Sequence, residues 1–82
     1  MKKHEWKETT EDGETRFVRF LNKGGRWTMW SKLKGEDFAV VEPMPVEDLR
    51  ALREILWAKY QRNRVALRSV EEVDQMIARA EG

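Results

Sequence analysis

Hydrophobic and polar residues alternate along the first half of the chain and recur at helical spacing along the second. Gly24-Gly25-Arg26-Trp27-Thr28-Met29-Trp30-Ser31-Lys32-Leu33-Lys34-Gly35 reads as a strand with a turn signal at each end. Alternate side chains of a strand point to opposite faces. One face therefore carries Trp27, Met29, Ser31 and Leu33, the other Arg26, Thr28, Trp30 and Lys32. Upstream, Arg16 to Leu21 is aromatic and β-branched enough for a second strand. Asn22-Lys23-Gly24-Gly25 separates the two, and a two-residue loop on Lys23-Gly24 or Gly24-Gly25 suits glycine's tolerance of positive φ. Either closure puts Val18 and Phe20 beside Trp27 and Met29.

Lys34-Gly35-Glu36 reads as another turn and Asp37 to Glu42 as the next strand. A two-residue loop here predicts Phe38 and Val40 on the same face as Leu33, Ser31 and Met29. The expected core face is then Val18, Phe20, Trp27, Met29, Leu33, Phe38 and Val40. The reverse is mixed: Phe17, Arg19, Leu21, Arg26, Thr28, Trp30, Lys32, Ala39 and Val41. A three-residue loop would flip one strand relative to its neighbour. His4 to Thr9 reads as a first strand, closed by the Asp12-Gly13 signal. A two-residue loop pairs Trp6 with Arg19 on the mixed face, and one more residue turns it toward the core.

Glu42-Pro43-Met44-Pro45 stops the sheet, since proline cannot donate to a ladder. Pro45 suits a first helical turn, and Glu47 and Asp48 suit a helix N-terminus. Leu49, Leu52, Ile55, Leu56 and Tyr60 recur every three or four residues, which predicts an amphipathic helix from about Val46 to about Arg62. Ser69-Val70-Glu71-Glu72 reads as a capping box opening a second helix to about Ala80. Its apolar stripe is Val70, Val73, Met76, Ile77 and Ala80. The expected fold class is α+β: a four-stranded antiparallel meander followed by two helices packed on one face, ββββαα in two layers.

Composition narrows the function classes. The chain has 82 residues, enough for one small domain with one modest core. It has no cysteine, so it builds no disulfide, and the expected location is the reducing cytoplasm. The charged start, Met1 to Lys7, lacks the apolar run of a secretory signal, and no stretch is long enough to span a membrane. Sixteen basic and fifteen acidic residues nearly cancel, so any field that matters is local.

Catalytic signatures are sparse. His4, the one histidine, lies near the chain start and reads as a frayed, solvated side chain rather than a metal ligand. Neither Ser31 nor Ser69 sits in a nucleophile elbow. Glu71, Glu72 and Asp74 are explained by the field of a helix N-terminus. Lys23-Gly24-Gly25 matches no nucleotide-binding fingerprint. The expectation is a non-enzymatic protein with no cofactor and no metal.

Two features point to binding. Between Glu54 and Glu71 no acid occurs, and Lys59, Arg62, Arg64 and Arg68 fill the gap. Such a run can grip phosphates, although cations at a helix C-terminus need no ligand to explain them. The mixed face is the stronger candidate. Arg19, Arg26 and Lys32 interleave with Phe17 and Trp30, the composition of a platform that stacks bases on rings and holds phosphates on cations. The same apolar members, with Trp57, also suit a homodimer or protein interface, with the arginines as its rim. The expected binding residues are Phe17, Arg19, Arg26, Trp30 and Lys32, with Arg62, Arg64 and Arg68 extending the track. The predicted partner is single-stranded nucleic acid or, in the alternative, a protein or second copy of the chain.

A four-strand meander followed by a helix is similar in layout to the single-strand-binding transcriptional coactivator domains. That resemblance implies dimerisation through the helix and nucleic-acid binding on a curved sheet. The second helix departs from the layout, and no residue of this chain takes a role from it.

Overall fold

A computed structural model describes residues 1–82. It shows strands β1 (Lys2–Thr9), β2 (Thr15–Lys23), β3 (Arg26–Leu33) and β4 (Ala39–Val40), then helices α1 (Val46–Gln61) and α2 (Leu67–Glu81). The strands form one antiparallel sheet in the order β1-β2-β3-β4. This is the expected ββββαα order of an α+β fold. The chain divides into two compact units, Met1–Glu42 and Pro43–Gly82.

In the sheet unit, the turns set which side chains share a face. Lys23 pairs with Arg26, so the β2–β3 loop is Gly24-Gly25. Both glycines have positive φ, 59° and 87°, as the tightest hairpin turn requires at its two central positions. The Asn22 side-chain oxygen accepts a 2.9 Å hydrogen bond from the Gly25 N–H and steadies the turn. Val18 then faces Ser31 and Phe20 faces Met29, as the alternation predicts.

The β1–β2 turn is longer. The Thr10 N–H donates to the Glu14 carbonyl at 2.8 Å, leaving Glu11, Asp12 and Gly13 as the loop. That odd length brings Trp6 opposite Val18. The Trp6 ring stacks on Phe20, with centroids 5.7 Å apart.

The β3–β4 turn corrects the expected core face. Trp30 pairs with Val40 and Ser31 with Ala39. The Glu36 N–H donates to the Leu33 carbonyl at 3.0 Å, and Gly35 takes a φ of 89°. The loop is thus one residue longer than the two-residue closure, and the extra residue reverses the parity of all that follows. Phe38 and Val40 lie on the Trp30 face, while Ala39 and Val41 lie on the other. Val40 is 49% exposed.

The buried face of the sheet holds Val18, Phe20, Trp27 and Met29. His4 belongs to it as well, which overturns the reading of a frayed, solvated histidine: it is only 3% exposed. The reason is that β1 pairs from Lys2 onward, so the ladder places His4 opposite Phe20. Its ring stacks on Trp27 at 5.8 Å.

In the helical unit, Pro45 stands at the cap of α1 and its carbonyl accepts from the Asp48 and Leu49 N–H groups, each at 3.1 Å. Glu47 and Asp48 occupy the first turn, where the helix field favours them. Leu49, Leu52 and Leu56 are buried, as the spacing predicts. At the other end the Arg64 N–H reaches the Lys59 carbonyl at 2.8 Å and the Asn63 N–H the Tyr60 carbonyl at 2.9 Å. Asn63 adopts a φ of 60°. This is a Schellman exit with asparagine in the left-handed position usually held by glycine.

That tight exit moves the start of α2 forward. Helix α2 begins at Leu67 with Ala66 at its cap and no side-chain cap bond, so the Ser69–Glu72 capping box does not form. Ser69 lies inside the first turn, its N–H donating to the Ala66 carbonyl at 3.0 Å. Glu72 instead lies 3.4 Å from Arg68. Ser69→Ala is therefore expected to change stability by less than about 0.5 kcal/mol, against the roughly 1 kcal/mol of a lost N-cap, as urea titration will show. Val70 and Val73 are buried on α2, and the ion pairs Arg53–Asp74 and Arg50–Glu81 join the two helices. No helix is long and apolar enough to cross a membrane.

Candidate functional site

The mixed face of the sheet is built in rows, each row running across neighbouring strands. One row is Lys7, Phe17 and Lys32, in successive pairing. The next is Glu5, Arg19, Trp30 and Val40. A third is Lys3, Leu21 and Thr28, and Lys23 opposite Arg26 closes the face at the glycine turn. Rings and cations thus alternate both across and along the strands. Phe17, Trp30 and Phe38 are all half-buried, with part of each ring open to solvent.

The cations bridge the rings. The Lys32 ammonium lies 5.2 Å from the ring centre of Phe17 and 5.2 Å from that of Phe38. The Arg19 guanidinium sits 4.1 Å from the ring centre of Phe38. Such contacts are worth about 0.5–1 kcal/mol at exposed sites, and they set the two cations over the faces of Phe17 and Phe38. The Trp30 indole N–H donates to the Thr28 hydroxyl oxygen at 3.4 Å.

Glu5 is the sole carboxylate on the paired strands of this face. It accepts a hydrogen bond from Arg19 Nε at 2.7 Å and lies 3.5 Å from the Lys3 ammonium. The Arg19 hydrogen bond, with smaller help from the charges of Arg19 and Lys3, holds its carboxyl below the ordinary carboxylate range against the opposing effect of burial. A group so depressed stabilises the fold above its unfolded pKa and loses that contribution as pH falls through the folded value. Glu5→Gln is thus expected to remove a small part of the acid-induced loss of stability below about pH 4, and no more than about 1 kcal/mol for so exposed a pair. Thermal melts of both proteins at neutral and acidic pH measure it.

Phe17, Arg19, Arg26, Trp30 and Lys32 are therefore gathered on one face. Trp6 leaves that face through its odd loop, and Phe38 and Val40 join it through theirs. Residue types alone do not place Phe38, whose parity depends on a single loop residue, nor Lys3 and Lys7, whose face depends on how β1 pairs. A shallow depression of about 190 Å³ lies at the glycine-turn end, lined by Met1, Leu21, Lys23, Arg26 and Thr28.

Arg62, Arg64 and Arg68 belong to the helical unit and are exposed. Arg68 is paired with Glu72. Burial, aided by the nearby Arg64 charge, lowers the pKa of Lys59. Trp57 is 38% exposed, with the Arg53 guanidinium 5.4 Å from its ring centre and the Tyr60 ring tilted against it at 5.5 Å. Nowhere do three or more histidine or carboxylate side chains gather in a group able to hold a metal ion. Comparison of the chain with protein-family models, curated proteins and solved structures finds no match.

Proposed function

We propose that the chain is a small, non-enzymatic cytoplasmic module that binds single-stranded nucleic acid on the Phe17–Trp30 face of its sheet. The observation that carries this reading is the alternation of half-open rings with lysine and arginine across the paired strands. Unstacked bases can lie on Trp30, and on Phe17 and Phe38 when Lys32 and Arg19 swing from those rings to the phosphates, with Arg26 as a further phosphate contact. Bases inside a duplex are already stacked on one another and cannot reach rings set in the floor of a sheet.

Anisotropy titration of labelled single- and double-stranded oligonucleotides at low and moderate salt tests it. The expected result is preference for the single strand and affinity falling steeply with salt, with a log–log slope of about −0.7 per phosphate neutralised. Absence of binding at low salt overturns the proposal.

A second reading, a homodimer or protein-interaction module, draws on the exposure of Val40 on the same face and of Trp57 on α1. Light scattering after size exclusion separates the two. A dimer dispersed by Trp30→Glu, without oligonucleotide affinity in the parent protein, favours the second.

A further inference from the structure

Charge on the sheet unit is sorted by end. The β1–β2 and β3–β4 loops share one end, where the Lys34 N–H donates to the Thr15 carbonyl at 3.0 Å. A depression lined by Gly13, Glu14, Thr15, Leu33 and Lys34 lies where they meet. These loops carry Glu11, Asp12, Glu14, Glu36 and Asp37 against Lys34. The opposite end holds the glycine turn and the start of β1. Lys2 pairs there with Asn22 and Lys23 with Arg26. Neither Lys23 nor Arg26 is engaged by a carboxylate, and both are exposed. They stand at the lip of the 190 Å³ depression whose lining includes Leu21 and Thr28.

We propose that the nucleic-acid face is directional: a single strand anchors at the glycine-turn end and is stopped at the acidic-loop end. The inference rests on the nucleic-acid reading above. At the anchor, a phosphate meets Lys23 and Arg26 while its sugar or base rests on Leu21 and Thr28. From Arg26 to Lys32 the strand advances six residues, about 20 Å at roughly 3.3 Å each. Over that length the face offers cations and rings, and its one carboxylate, Glu5, is held by Arg19 and Lys3. Beyond it the five carboxylates repel phosphates, so the strand leaves the surface. The footprint is fixed by the sheet, and extra nucleotides gain nothing.

The test uses the full chain and fluorescein-labelled oligothymidylates from about 4 to about 16 nucleotides, the range of site sizes for one small single-strand-binding fold. For the parent protein, affinity is expected to rise with length and then level off. Lys23→Gln with Arg26→Gln should weaken binding at every length and flatten the salt slope by about 1.4, two contacts at roughly 0.7 each. Lys23→Arg with Arg26→Lys should keep the slope. Neutralising the loops with Glu36→Gln, Asp37→Asn, Glu11→Gln, Asp12→Asn and Glu14→Gln should leave the shortest oligonucleotides unchanged and tighten the longest, so that the plateau moves out. Circular dichroism confirms that each variant is folded.

An unchanged slope in the Lys23/Arg26 variant, with the parent still binding, overturns the anchor alone. A plateau that stays put after the loops are neutralised overturns the stop. A parent protein that binds no oligonucleotide overturns the face reading itself and this inference with it.

Discussion

Phe20→Ala is expected to lower the unfolding free energy by about 3–5 kcal/mol, the cost of emptying an aromatic site in a close-packed core. Phe20 is 0% exposed, pairs with His4 on one side and Met29 on the other, and stacks on Trp6. At roughly 0.05–0.15 kcal/mol per residue, the whole chain has about 4–12 kcal/mol to lose. The variant should therefore unfold at far lower urea, with an unchanged m-value, when followed by tryptophan fluorescence. Phe17→Ala, three residues earlier and on the other face, should cost clearly less, because its ring is already half open. A loss below about 1 kcal/mol at Phe20 would mean that the buried face is misassigned.

Trp30→Ala is expected to weaken single-stranded oligonucleotide binding by about 1–3 kcal/mol, roughly 5- to 150-fold, the worth of one base stacked on one ring. The salt slope should not change, because no phosphate contact is lost. This separates ring from cation: Arg26→Gln should alter the slope, and Trp30→Ala the intercept. Trp30→Phe should recover most of the affinity, since a smaller ring still offers a stacking face. Trp30 is half-buried, so the fold should survive, and a near-parental melting temperature will show it. Unaltered affinity in Trp30→Ala would remove the stacking platform.

Much of this was readable from residue types. The paired glycines at 24 and 25 have few uses other than a tight turn, so they settle the parity of β2 against β3, and with it the shared face of Phe17, Arg19, Trp30 and Lys32, while leaving two registers open. The leucine spacing of α1 was equally plain. What failed turned on single residues. Lys34-Gly35-Glu36 closes as readily over three residues as over two, and choosing two sent Phe38 and Val40 to the wrong face. Asp12-Gly13 carries the same ambiguity, and with it the side of Trp6. Ser69 has the chemistry of a cap, but a cap is defined by where its own helix starts, and α2 starts two residues earlier, at Leu67. The connection is short because Asn63, a weak signal beside glycine, ends α1 in a left-handed conformation. His4 looked solvated because its neighbours in sequence are charged, and only the pairing of β1 showed it facing Phe20.

The two margins of the sheet differ from its faces in what they permit. On one side β4 offers a ladder only two residues long before Pro43. On the other, β1 is studded with Lys2, Lys3 and Lys7. Short and lysine-rich borders both discourage strand addition by a neighbouring molecule. The sheet is thereby guarded at both margins against open-ended, fibre-like growth.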